Sequence, residues 1–313
     1  MSLGPNPAAE GVVVPTSLAA TAARWNGEAG QLWLDRVPRL VAELAETWDL
    51  RLEAPYEGGQ CALVLRATRA GEPVALKVSW PDAETRPEPD ALRLWDGDGA
   101  VRLLAADERR GGMLLERLEP GTPLSHHPDR DEALAIACGL VRRLRRRPPS
   151  GHRFRDAGES ASWVARAAPV RWASAGEPFE RVLVEAAMGA AKEILSSGPV
   201  GAQVVVNRDL HLGNVLAAER EPWLVIDPKP LVGEPAFDGG HLLADALSGD
   251  AGVERVEWAS RLVAEALDVD LDRLRAWALV RAVDFALWAY QVGEPEPSGR
   301  LMLARSLSAL TGR

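Results

Sequence analysis

Between residues 27 and 48 the apolar side chains Leu32, Leu40, Val41, Leu44 and Trp48 recur at helical spacing, which predicts a helix that buries one face. Downstream the rhythm changes to short apolar runs cut by glycine. Residues 50–57 read as a strand, Gly58-Gly59 as a tight turn, 61–68 as a second strand, Gly71-Glu72 as another turn and 74–78 as a third strand. Runs of this length between glycine turns predict successive hairpins of an antiparallel sheet. A short helix at 91–95 and two further strands at 101–104 and 113–118, parted by Gly111-Gly112, complete this part of the chain. Glu119-Pro120-Gly121 then breaks the pattern.

Beyond that break helical periodicity dominates. Helices are expected over 131–147, closed by Pro148-Pro149, over 177–195, closed by Ser196-Ser197-Gly198, and over 236–247, 253–267, 271–290 and 299–310. Two short apolar runs, 204–206 and 223–226, flank polar loops between them. The expected fold is α+β and bilobal: a lobe over 1–118 with an antiparallel sheet and a helix, and a mainly helical lobe over 119–313. A chain of 313 residues suits two lobes of ordinary size.

Composition narrows the class. Hydrophobic residues make up 47% and charged residues 26%, ordinary globular proportions. The net charge of −9 argues against a nucleic-acid partner. Cys61 and Cys138 form no CxxC pair, so a reduced, cytoplasmic protein without structural zinc is expected. No apolar run reaches the ~18 residues of a membrane helix, and nothing requires more than a monomer. The arginine-rich run 142–147 falls at a helix C-terminus and reads as a solvated basic face. Only Lys77, Lys192 and Lys229 are lysines, so the remaining 33 of the 36 basic residues are arginines. A lysine inside an apolar strand, such as Lys77 in Val-Ala-Leu-Lys-Val, therefore calls for a reason, since a buried ammonium is costly unless paired.

The stretch 204–238, VVVNRDLHLGNVLAAEREPWLVIDPKPLVGEPAFD, carries the candidate chemistry. Asn214 follows Asp209 by five residues and Asp227 follows it by eighteen. Phosphoryl transfer needs a carboxylate to orient a hydroxyl and take its proton, and hard oxygen ligands to hold magnesium against phosphates. This segment, with LWLDRVPRLVAELAETWDL, VALKVSW, ALRLWDGDGAVRLL and MLLERLEPGTPL upstream, resembles the aminoglycoside phosphotransferases, in the branch of the streptomycin 6-kinases and hydroxyurea phosphotransferases. The resemblance runs from about residue 27 to 290. It implies a protein-kinase-like fold, ATP, Mg²⁺ and a small polar hydroxylated acceptor, expected to be cationic.

By that resemblance Asp209 is the catalytic base and Asn214 and Asp227 are the metal ligands. Lys77 matches the lysine that pairs with the nucleotide phosphates, with Glu88 as its carboxylate partner and Glu84 as the alternative. Glu116 and Leu118 mark the segment whose backbone meets the adenine, and Gly58-Gly59 either covers the nucleotide or is a plain hairpin turn. His211 and Asp238 read as residues that order and brace the catalytic loop. Lys229 reads either as a phosphate or substrate contact or as a surface charge. Glu234 and Asp284 are candidates for holding the acceptor. The chain departs from the family pattern in writing Asn207-Arg208-Asp209 where His-x-Asp is usual, and its Gly239-Gly240-His241 is unusual for a helix start. Streptomycin leads as acceptor, followed by hydroxyurea or an endogenous metabolite. The competing reading is a catalytically silent nucleotide-binding module. A protein kinase fits poorly, because the segment 227–238 is short and no Ala-Pro-Glu follows it.

Overall fold

The computed structural model describes residues 12–247, 249, 251–293 and 298–312. The chain divides into two compact units. One comprises the chain up to Gly97 and Val101–Glu119, and the other comprises Asp98–Ala100 and the chain from Pro120 onward.

The first unit is built on α1 (Thr16–Trp48), β1 (Leu50–Pro55), β2 (Ala62–Arg69), β3 (Glu72–Ser79), α2 (Glu88–Trp95), β4 (Leu103–Asp107) and β5 (Gly112–Glu116). Its antiparallel sheet has the order β1-β2-β3-β5-β4. Alternation along a strand sends successive side chains to opposite faces. Leu63, Leu65, Leu76 and Val78 thus meet Trp33, Leu34, Val37, Val41 and Leu44 of α1 in one buried cluster. Lys77, between Leu76 and Val78, faces the other way. The helix begins earlier than its periodicity suggests. Gly27 has φ 54° and ψ −135° and joins two helical segments, and the added segment contributes Leu18 and Ala22 to the same cluster.

The second unit holds β6 (Pro120–Pro123), α3 (Arg130–Leu144), β7 (Arg155–Asp156), α4 (Gly158–Ser174), α5 (Arg181–Ser197), β8 (Val204–Asn207), β9 (Val215–Ala218), β10 (Trp223–Val225), β11 (Pro230–Gly233), α6 (Pro235–Ala246), α7 (Val253–Leu267), α8 (Leu271–Val292) and α9 (Ser298–Thr311). Its two small sheets run β10-β9-β6 and β7-β11-β8. Helix α8 touches α4, α5, α6, α7 and α9 and is buried along most of its length. Gly239 and Gly240 lie in the middle of α6, not at its start, and the pair has a packing reason. A Cβ at Gly240 would lie 2.6 Å from Trp277 Cβ and 2.8 Å from Ala278 N of α8, so only glycine allows this approach.

The run 142–147 is largely solvated, with Arg142, Arg143 and Arg147 exposed, and it carries surface ion pairs. Arg143 pairs with Asp98 and with Glu221 (2.5 Å), and Arg146 also pairs with Asp98. These contacts tie α3 to Asp98–Ala100 and to the β9–β10 turn. Among the described residues no helix is long and apolar enough to cross a membrane.

Candidate active site

Strand β8 is wholly buried and pairs antiparallel with β11, Val206 opposite Leu231 and Asn207 opposite Pro230. The chain leaves the sheet at Arg208 and Asp209, makes one tight turn at Leu212–Asn214 and enters the β9–β10 hairpin. In that hairpin Val215 lies opposite Val225, and Ile226 N–H donates to the Asn214 carbonyl at 2.9 Å. Asn214 and Asp227 therefore sit together at its open end despite their separation in sequence. Asp227 has φ 50°, in the left-handed region that Asp tolerates better than most residues.

Hydrogen bonds fix the orientation of Asn214. Its Nδ2 donates to the Asp209 carbonyl at 3.1 Å, and among the described residues its Oδ1 accepts nothing. The side-chain oxygen of Asn214 and the carboxylate of Asp227 are hard donors that fit magnesium, which keeps waters and substrate phosphates for its remaining positions. The described residues hold no cluster of three or more His, Cys, Asp or Glu for a metal bound by protein alone.

Asn207 organises the loop. Its Oδ1 accepts the main-chain N–H of Asp209 and of Lys229, each at 3.0 Å. Its own N–H donates to Asp238 Oδ1 at 2.7 Å. Burial pushes the Asp238 carboxyl up to about 7, although the Asn207 N–H and the Arg145 charge pull it down. His211 Nδ1 accepts Gly213 N–H at 3.1 Å, and Asp245 Oδ2 accepts Leu212 N–H at 3.2 Å, so both order the turn that leads to Asn214.

At Asp209 itself, Lys229 Nζ lies 2.7 Å from Oδ2. Burial alone would raise this carboxyl, but the Lys229 charge and hydrogen bond, with the charge of Arg281, outweigh it and hold the group at about 2. Asp209 is a carboxylate at neutral pH. The sequence left Lys229 undecided between site and surface; the signal that singles it out is the scarcity of lysine.

In the first unit Lys77 Nζ donates to both carboxylate oxygens of Glu88, at 2.7 and 2.8 Å, with both side chains buried. Glu88 opens α2 between Pro87 and Pro89, which sets its carboxylate at the helix start. Glu84 lies in the preceding turn, where its N–H bonds Asp82. Glu116 ends β5; its N–H donates to the Arg102 carbonyl and its Oε1 accepts Arg102 N–H at 2.8 Å. Leu118 follows it, buried. Gly58 and Gly59 lie in the loop between β1 and β2.

The two carboxylates expected to hold the acceptor both have internal partners. Glu234 is buried, with Oε1 accepting from Arg273 Nε at 2.6 Å and from Trp277 Nε1 at 2.5 Å, and Oε2 from Val200 N–H at 2.6 Å. Asp284 pairs with Arg171 at 2.6 Å. Both oxygens of Glu234 are thus engaged internally, whereas Asp284 meets its cation through Oδ1.

A family model described as aminoglycoside/hydroxyurea antibiotic resistance kinase matches residues 47–293. A hydroxyurea phosphotransferase of Kitasatospora aureofaciens is 41% identical over 290 residues, covering 90% of this chain and 82% of that protein. A streptomycin 6-kinase of Streptomyces griseus is 39% identical over 292 residues, covering 90% of this chain and 92% of that protein. Among solved structures, aminoglycoside phosphotransferase APH(4)-Ia in ternary complex with ADP and hygromycin B superposes with a TM-score of 0.60 at 14% identity, covering 86% of this chain and 97% of that one. That likeness shows a shared protein-kinase-like fold.

Proposed function

The chain belongs to the aminoglycoside/hydroxyurea antibiotic resistance kinase family, and on that premise we propose that it moves the terminal phosphate of Mg·ATP to a hydroxyl of a small polar acceptor, with Asp209 as base. The observation that carries the reading is the joint placement of an ionised Asp209 with Asn214 and Asp227 around one loop and one hairpin.

In this reading Asn214 Oδ1 and the Asp227 carboxylate hold Mg²⁺, and Lys77, kept in place by Glu88, meets the nucleotide phosphates. The backbone around Glu116 and Leu118 receives the adenine edge. Bound Mg·ATP supplies the phosphoryl group and screens its charge. Asp209 orients the acceptor hydroxyl and takes its proton as the oxygen attacks phosphorus, so the work of the protein is positioning and charge stabilisation. Asn207 supports an active enzyme over a silent module, because its side chain makes the bonds that hold the Asp209 and Lys229 backbones in register.

Streptomycin is the first acceptor to test and hydroxyurea the second, since relatives carrying those two names align over nearly the whole chain. A cationic acceptor would be met by carboxylates other than Glu234, whose two oxygens are engaged inside the protein. The test is acceptor-dependent ADP formation across streptomycin, other aminoglycosides, hydroxyurea and simple amino sugars. Asp209→Ala is expected to lower kcat by about 10²–10⁴-fold, the usual worth of a general base, while Mg·ADP binding stays intact. An Asp209→Ala enzyme with wild-type turnover would remove Asp209 from the mechanism.

A further inference from the structure

We propose that Lys229 is a positioning residue for the transfer, pinning one oxygen of the Asp209 carboxylate so that the other is presented to the acceptor hydroxyl. The inference rests on the kinase reading above and concerns the geometry of its base.

Three observations carry it. Lys229 Nζ sits 2.7 Å from Asp209 Oδ2, with side chains only 17% and 23% exposed. Among the described residues Asp209 Oδ1 accepts no hydrogen bond. The carboxylate is thus anchored at one oxygen and open at the other, which is what a base needs if it is to meet a hydroxyl in a fixed direction.

The two residues are also fixed to the same point. Asp209 N–H and Lys229 N–H both donate to Asn207 Oδ1 at 3.0 Å, and Arg208 N–H donates to the Lys229 carbonyl at 3.0 Å. With both backbones held by one side chain, the ammonium–carboxylate bond closes a small rigid ring of contacts. It does not span two mobile loops, as many surface ion pairs do.

The third observation is the choice of cation. This chain uses arginine for 33 of its 36 basic residues, yet places one of its three lysines here. Arginine presents a planar fork that tends to engage both carboxylate oxygens, whereas lysine acts as a point charge that can take one and leave the other. An ion pair needed only to join two segments would be served as well by arginine. A base that must keep one oxygen open would not.

Lys229→Arg and Lys229→Met separate these cases. Each variant is measured for kcat and KM with the acceptor that the wild-type enzyme uses, for Mg·ADP affinity and for Tm. The proposal expects Lys229→Arg to keep Tm and Mg·ADP affinity near wild type while kcat falls at least tenfold. It expects Lys229→Met to lower kcat by about 100-fold, the scale of a misplaced catalytic group. In an Asp209→Ala background, Lys229→Met should cost less than threefold more, because the lysine acts through that carboxylate. A Lys229→Arg enzyme within threefold of wild-type kcat overturns the proposal and leaves a structural ion pair. Full additivity with Asp209→Ala overturns it too. Wild-type protein that binds nucleotide but turns over no acceptor overturns the kinase reading, and this proposal with it, before any variant is compared.

Discussion

The side-chain oxygen of Asn207 receives two main-chain N–H groups while the residue's own N–H is held by buried Asp238, so one asparagine links β8, Asp209 and the segment after Asp227. Asn207→Leu keeps the approximate volume and removes the acceptor. Two N–H groups then lose their partner, which costs about 1–3 kcal/mol of stability, and kcat should fall with it. A denaturant midpoint at the wild-type value together with undiminished kcat would show that the clip is dispensable. Much of this candidate site is legible in residue spacing, because Asp209, Asn214 and Asp227 fall within one short stretch that the β9–β10 hairpin folds back on itself. Lys229 could not be read this way. Whether the Lys229 side chain reaches inward depends on the turn at Asp227, whose left-handed φ the residue type permits but does not dictate.

Strand β3 and helix α2 are joined by the Lys77–Glu88 pair, buried on both sides. Removing one partner leaves the other as a buried charge, so Lys77→Met should lose about 3–5 kcal/mol of stability. The double variant Lys77→Met/Glu88→Leu should recover most of that in thermal unfolding, since apolar replacement of a buried pair is often neutral, yet under the proposed function it should remain inactive, with no ammonium for the phosphates. Activity in the double variant would show that the pair is purely structural. The strands and helices with a clean period were legible in the sequence, and their ends were not. Helix α4 escaped altogether. Its buried stripe is Ala161, Val164, Ala168 and Trp172, mostly alanine, and Pro169 interrupts it, so the periodic signal is faint. β9 and β11 leave little sequence signal because each is a strand of only four residues, β9 ending in two alanines and β11 opening on a proline.

The molecule as a whole should report Asp238 in its pH–stability profile. Its folded carboxyl titrates near 7, above the ordinary value of 3.8. The folded state therefore holds this proton more tightly than the unfolded chain. The associated stabilisation is complete below about pH 4 and is lost as pH rises toward 7. Asp238→Asn, which keeps an oxygen for Asn207 N–H and has no proton to lose, should gain on wild type across that interval and hold a constant advantage above it. Parallel stability curves for the two proteins would mean that Asp238 stays charged when folded. The distribution of lysines has a last consequence, in covalent chemistry. Lys77 and Lys229 are each bound to a carboxylate, while Lys192 lies exposed on α5. Acylating reagents attack only the deprotonated amine, so of the three lysine side chains Lys192 should be modified first. The two site lysines then become slow reporters whose acetylation, read peptide by peptide in a mass spectrometer, clocks the opening of each ion pair separately.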